Sequence, residues 1–151
     1  MTAGIEAQVE SFIDKFSVEV AAQIRAARAH MRQRLPGAVE LVYDNYNALA
    51  IGYAANEKVS GIVFSIAAYP RWISLFFGRG VGLDDPHGLL KGGGSKVRHI
   101  VLTELAVLDR PEVNALMDQA LARAEPPIDP AATRRTVIKS ISARQRPRRP
   151  A

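Results

Sequence analysis

The spacing of apolar residues changes once along the chain, at Pro36 and Gly37, and this change constrains the fold more than any other feature. Before this point apolar residues recur every three or four positions, which is typical of amphipathic helices. After it, aromatic and β-branched residues alternate along the chain, which is typical of strands. Proline and glycine at the boundary end the preceding helix and permit a turn. Helices followed by a run of strands therefore predict an α+β domain.

Three helices are predicted, two before Pro36 and one near the C-terminal end. Ser17 is a suitable N-cap between the first two, because its side-chain oxygen can accept a backbone N–H. Pro111 suits the first turn of the third helix, which ends at Pro126 and Pro127. The three apolar stripes comprise Ile5, Val9, Phe12, Ile13 and Phe16; Val20, Ile24, Ala27, Met31 and Leu35; and Val113, Leu116, Met117 and Leu121.

Five strands are predicted in the middle of the chain, at residues 39–43, 49–53, 62–66, 72–77 and 97–102. Short links join the first four, which favours an antiparallel meander because parallel strands need a longer crossover. Apolar and polar residues alternate again at 136–142 and predict a further strand. Lys139 would place a charge on its exposed edge, which discourages pairing with another chain. The predicted fold is α+β, an antiparallel sheet of five to six strands with two N-terminal helices and one C-terminal helix packed in two layers.

Charge is distributed unevenly along the 151 residues, whose net charge is +5. Through Thr133 the chain has 13 basic and 15 acidic side chains, a net charge of −2, and seven further basic side chains follow. This basic end is also rich in proline, which is typical of segments that do not pack. We therefore predict one folded domain at 1–129, an extension with an edge strand at 130–142, and a disordered basic tail at 143–151.

Several classes of function receive no support from the composition. The chain has no cysteine, which excludes disulfides, thiolate metal sites and a cysteine nucleophile. The N-terminal residues do not resemble a signal peptide, and no apolar run approaches the roughly 20 residues that span a bilayer. No serine lies in a nucleophile elbow and no histidine-rich metal motif occurs. We expect a cytoplasmic protein without a membrane partner or an enzymatic activity.

Four segments and their order resemble the YdhG-like family of unknown function. They are RLPGAVELVY at the end of the second helix, RWISLFFG in the fourth strand, KGGGSKVRHIVL at the fifth strand and PEVNALMDQAL in the third helix. The similarity spans residues 6–124. The resemblance implies a two-layer α+β domain, and one branch of the family is described as a frataxin-like intracellular iron chaperone. Iron is therefore a candidate cofactor by resemblance.

Three acidic residues fall on one face of the first predicted helix. Glu6, Glu10 and Asp14 are spaced four residues apart, so their side chains follow each other along the helix. Hard cations such as ferrous iron bind carboxylate oxygens, and an exposed acidic ridge would hold them weakly. The alternative is that these residues form the solvated outer face that every amphipathic helix needs.

Aromatic residues and a cation cluster near the ends of the predicted strands. Tyr43, Tyr46, Arg71 and Trp72 are candidates for a pocket, because aromatic walls and one cation suit a small organic or anionic ligand. The alternative is that these side chains belong to the core and its rim.

The basic tail is a candidate nucleic-acid interface through Arg144, Arg146, Arg148 and Arg149. Each arginine can neutralise a phosphate, and the lack of interleaved aromatic residues predicts binding without sequence preference. The alternative is a solubilising end. Taken together, these features predict a small binding or accessory domain of the YdhG-like kind, as a monomer or a weak homodimer.

Overall fold

The computed structural model describes residues 2–150. It contains three α-helices, α1 (Thr2–Ile13), α2 (Val18–Arg34) and α3 (Pro111–Ala122). Its six strands are β1 (Val39–Asp44), β2 (Leu49–Ala54), β3 (Phe64–Ala68), β4 (Ile73–Phe77), β5 (Arg98–Leu102) and β6 (Arg135–Ile141). The predicted α+β fold is confirmed, with two helices before the sheet and one after the meander.

The boundaries of α2 follow from local chemistry. The Ser17 hydroxyl accepts a hydrogen bond from the backbone N–H of Val20 at 3.3 Å, as expected of an N-cap. After the helix, Gly37 adopts a φ of 84°, and a Cβ at this position would collide with the backbone carbonyl of Asp129. Glycine is therefore required here both by the backbone conformation and by the close approach of the segment before β6.

The sheet has the strand order β5-β4-β3-β2-β1-β6. Strands β1 to β5 pair with their sequence neighbours and are antiparallel, so the predicted meander is confirmed. Strand β6 joins the sheet at the free edge of β1, but it runs parallel to β1 rather than antiparallel. A parallel pair such as β1 and β6 requires a long connection between its strands. Here that connection includes the segment with α3 that separates β5 from β6.

The main hydrophobic core lies between the three helices and one face of the sheet. In β2, for example, Leu49, Ile51 and Tyr53 point into this core and are 1% exposed each. Burial of each such side chain contributes roughly 1.5–3 kcal/mol to folding. Because all three helices pack on the same face, the opposite face, which we call the outer face, remains without a helix cover among residues 2–150.

The C-terminal tail is bound to the domain, so the prediction of a disordered segment at 143–151 is corrected for residues 143–150. The backbone N–H groups of Ser142 and Arg146 donate to the carbonyls of Asp44 and Tyr46 at 2.8 and 2.9 Å. Arg148 is 4% exposed. The composition of the tail predicts disorder because it does not reveal the buried acceptors at the end of β1. Ala151 lies outside the described residues.

Within residues 2–150, none of the helices combines the length and the apolar character needed to cross a membrane.

Candidate functional site

The three carboxylates predicted to bind metal are each paired with arginine. Arg25 donates to Glu10 at 2.8 Å and to Asp14 at 2.5 Å. Glu6 lies one turn earlier on the same face of α1, where it accepts hydrogen bonds from Arg28 and Arg32 at 2.9 and 2.7 Å. In the part of the chain that the structure describes, no group of three or more metal-ligating side chains converges on one point. The arrangement favours ion pairing between α1 and α2 over metal binding.

Glu6 belongs to a buried polar network centred on Glu40, which is 0% exposed. Arg28 and Arg32 donate to Glu40 at 3.0 and 2.7 Å, and Tyr53 donates its hydroxyl to the same carboxylate at 2.9 Å. Burial alone would raise the pKa of Glu40, but the hydrogen bonds and charges of the two arginines outweigh it and lower the pKa to about 2. The same carboxylate and burial raise the pKa of Tyr53 well above 10. This network connects α1, α2, β1 and β2, and we interpret it as stabilising the fold.

The four residues predicted to form an aromatic pocket are not among the described lining residues of the groove on the outer face. Trp72 is 44% exposed and stacks on Tyr69, with ring centroids 4.9 Å apart. Tyr46 and Arg71 are exposed, and Tyr43 is partly buried in a small apolar cluster on the outer face. Of these five side chains, Tyr69 alone is among the described lining residues of a groove on that face.

The four tail arginines predicted to bind nucleic acid divide into two pairs. Arg148 donates to the buried Asp44 carboxylate at 2.9 Å and lies over the ring of Phe16, 5.7 Å from its centroid. Arg149 donates to two backbone carbonyls at the end of α1. Arg144 and Arg146 are exposed. Two of the four arginines predicted to bind nucleic acid are therefore engaged in contacts within the protein.

The outer face carries a groove of about 500 Å³, which we call the outer-face groove. Its floor is formed by small side chains of two adjacent strands, Ala50 of β2 and Ser65 and Ala67 of β3. Larger side chains flank this floor, and two cations lie at one end. The flanking and terminal lining residues are Asn45, Ala48, Val59, Ser60, Ile62, Tyr69, Phe76, Gly78, Arg79, Lys96 and Val97.

Strand register explains the depth of this groove. Ala50 pairs with Ala67 and Gly52 pairs with Ser65, so small residues are placed side by side across β2 and β3. Ser65 in turn pairs with Phe76, whose ring rises above the floor on the β4 side. Ile62 covers Gly52 at the end where Arg79 lies, and a Cβ on Gly52 would approach Ile62 Cδ1 to 2.8 Å. The result is a depression between bulky side chains.

The charge at the groove is positive. Arg79 and Lys96 have no ion pair and no side-chain hydrogen bond with any other part of residues 2–150. The described lining residues include no Asp or Glu. A site of this kind attracts an anionic group to one end and presents an apolar surface beside it.

The sequence contains a pattern that predicts this groove, and it lies in the small residues of β2 rather than in the aromatic residues. Ala50, Gly52 and Ala54 alternate along β2, on the side opposite Leu49, Ile51 and Tyr53, and Ala48 just before the strand continues the pattern. Small residues at every second position of a strand predict a low surface on one face of the sheet.

Comparisons of the chain with models of protein families, with curated protein sequences and with solved structures find no significant match. The resemblance to the YdhG-like family therefore stays a prediction, and the function is argued from the geometry of the chain itself.

Proposed function

We propose that this chain is a ligand-binding domain whose outer-face groove holds a small organic anion with a flat apolar body. The observation that carries the proposal is the combination of a small-residue floor with two unpaired cations, Arg79 and Lys96, at one end of it. An anionic group would lie between these cations. The apolar body would lie on Ala50 and Ala67, beside the ring of Phe76.

The dimensions of the groove agree with this class of ligand. Its volume of about 500 Å³ falls within the range of roughly 300–1,000 Å³ that is usual for small-molecule sites. Along β3 the five residues from Phe64 to Ala68 span roughly 16 Å at about 3.3 Å per residue. The ring of Tyr69, braced by its stacking on Trp72, stands at the end away from the cations.

Binding is favoured over acid–base catalysis by the same lining. The described lining residues include no histidine, aspartate or glutamate, which are the common general acids and bases near neutral pH. Metal binding at α1 has less support, because Arg25, Arg28 and Arg32 neutralise the carboxylates that would hold the ion.

The test uses 8-anilinonaphthalene-1-sulfonate as the anionic probe and N-phenyl-1-naphthylamine, which lacks the sulfonate, as the neutral one. We expect one saturable site for the anionic probe and at least tenfold weaker binding of the neutral probe, about 1.4 kcal/mol. Chemical shifts of the amides of β2 and β3 should move together with the fluorescence. Equal affinity for the two probes would contradict the proposal.

Three variants locate the probe. Replacement of both cations, Arg79→Gln with Lys96→Gln, should weaken the anionic probe at least tenfold because both charges face the groove. Ala67→Leu should prevent binding by raising the floor. Lys91→Gln is the matched control, since Lys91 is an exposed cation on the same connection outside the groove. A loss of affinity in the control as large as in the double variant would point to nonspecific charge attraction.

A further inference from the structure

A second cavity of about 260 Å³ lies at one end of the sheet, where the connections β2–β3 and β4–β5 meet the C-terminal end of α3. We call it the end pocket. Its apolar walls are formed by Ile62, Val63, Val81, Leu83, Ala120 and Ala124. Its charged lining residues are Arg79, Arg123 and Glu125. The pocket therefore combines a branched apolar wall with charges of both signs.

The walls of the end pocket are tied together by hydrogen bonds. The side-chain amide of Gln119 donates to the carbonyl of Asp84 at 2.8 Å, and its oxygen accepts from the N–H of Asp84 at 2.8 Å. Arg123 donates to the carbonyl of Gly82 at 2.8 Å. These contacts fasten the β4–β5 connection to α3, so the pocket is formed before a ligand enters. The guanidinium of Arg123 is already engaged in this wall.

Two charges remain for a ligand. Arg79 and Glu125 form no ion pair and no side-chain hydrogen bond with other residues of the range 2–150. The C-terminal end of α3 adds partial negative charge on the side of Glu125, because the last carbonyls of a helix point outward there. One part of the pocket thus favours an anionic group and another favours a cationic group.

From this arrangement we propose that the end pocket binds a free α-amino acid with a branched aliphatic side chain. The side chain lies against Val63, Leu83 and Ala124. The carboxylate pairs with Arg79, and the ammonium lies between Glu125 and the end of α3. A volume of about 260 Å³ lies just below the range of roughly 300–1,000 Å³ that is usual for small-molecule sites, which suits a ligand as small as an amino acid.

The proposal for the end pocket does not rest on ligand binding in the outer-face groove, although Arg79, Ser60 and Ile62 border both sites. Failure of the groove to bind an organic anion would leave the charges and walls of the end pocket unchanged. If both sites bind, their ligands share Arg79, and each should weaken the other.

The test compares three probes by isothermal titration and by amide chemical shifts. L-Leucine carries both charges, 4-methylpentanoate lacks the ammonium, and 3-methylbutylamine lacks the carboxylate. We expect leucine to bind at least tenfold more tightly than either analogue and to shift the amides of residues 120–125. If 4-methylpentanoate binds as tightly as leucine, or if 10 mM leucine shifts none of these amides, the proposal is overturned.

Variants separate the end pocket from the groove. Glu125→Gln should weaken leucine at least fivefold without weakening 4-methylpentanoate, and this exposed residue can be changed without disturbing the core. Ala124→Leu should fill the pocket and abolish leucine binding. Lys96→Gln, which affects the groove alone, should leave leucine affinity unchanged. Unchanged leucine affinity in Glu125→Gln would overturn the assignment of the ammonium, whatever the groove variants show.

Discussion

The guanidinium of Arg148 donates a hydrogen bond to the carboxylate of Asp44 at 2.9 Å, and only 3% and 0% of these side chains are exposed. Arg148 also donates to the carbonyl of Asn45 at 2.5 Å, and Lys15 approaches Asp44 from α1 at 2.7 Å. One side chain of the tail therefore neutralises a buried charge at the end of β1. The tail is part of the folded domain rather than an appendage.

This pair predicts a large difference between two tail arginines. Arg148→Ala should lower the free energy of unfolding by about 3 kcal/mol, because it leaves the buried Asp44 carboxylate with Lys15 as its charged partner. Urea denaturation followed by circular dichroism measures the change. Arg144→Ala is the control, since the Arg144 side chain is exposed and has no hydrogen bond within 2–150, and a change under about 0.5 kcal/mol is expected. Equal effects of the two substitutions would show that the tail is detached in solution.

The buried carboxylates also predict how stability depends on pH. The two arginines lower the pKa of Glu40 from 4.5 to about 2, against the opposing effect of burial. The unfolded chain therefore takes up this proton at higher pH than the folded protein does. The stabilisation, about 3 kcal/mol, is fully present above about pH 4.5 and is lost as the pH falls through about 2.

Urea denaturation between pH 6 and pH 2 tests this dependence. Glu40→Gln should lower stability at neutral pH, because Arg28 and Arg32 lose the buried carboxylate and keep only the half-exposed Glu6 as a charged partner, and should make the acid limb shallower. Some acid dependence should remain, since Lys15, Gln145 and Arg148 together outweigh burial and lower the pKa of Asp44. An acid limb equally steep in the variant would contradict the assignment to Glu40.

Local patterns predicted the elements of this fold well, because each pattern is contained in a short segment. In β2 the alternation of Leu49, Ile51 and Tyr53 marks the core face, and the structure buries all three. In β1 the alternation of Val39, Leu41 and Tyr43 marks the outer face, whereas Glu40 and Asp44 point to the helices. The sequence does not show which face of β1 meets the core, because the charges that accompany Glu40 and Asp44 come from other elements.

The candidate site was less predictable for the same reason. Asp44 and Arg148 are 104 residues apart, and the composition around Arg148 is typical of disorder. The outer-face groove depends on the register that places Ala50 beside Ala67 and on the position of Arg79 after β4. Neither the register nor the meeting of two connections with the end of α3 at the end pocket follows from any one segment.

The contacts between the tail and the domain reduce the number of tail arginines that are available to nucleic acid. They therefore reduce the salt dependence expected for nucleic acid binding by the tail. Arg144 and Arg146 are exposed, whereas Arg148 and Arg149 are engaged with the protein. Two free cations account for a slope of log affinity against log salt of about −1.8 on duplex DNA, while four would give about −3.6. Fluorescence anisotropy of a random-sequence duplex measures the slope. Replacing Arg144 and Arg146 with glutamine should reduce the slope by about 1.8 and remove the whole tail-dependent part. A further reduction of about 1.8 when Arg148 and Arg149 are also replaced would show that the tail detaches to bind.

Iron binding at the carboxylates of α1 can be tested by measuring the melting temperature. Because arginine pairs with each predicted carboxylate, excess ferrous iron under anaerobic conditions should raise the melting temperature no more than magnesium does. A ligand at 100 times its dissociation constant would add about 2.7 kcal/mol, which corresponds to several degrees.

The metal experiment needs a variant that removes carboxylates of α1 without destabilising the fold. Glu6→Ala would strip a partner from Arg28 and Arg32 and destabilise the fold for reasons unrelated to metal. Glu10→Gln with Asp14→Asn removes the more exposed pair and keeps the buried network intact, so it is the variant to compare with the natural chain. Arg25→Gln, which frees both carboxylates, should increase weak metal binding relative to the natural chain. An iron-selective rise in the natural chain that disappears in the Glu10 and Asp14 variant would restore the acidic ridge as a metal site.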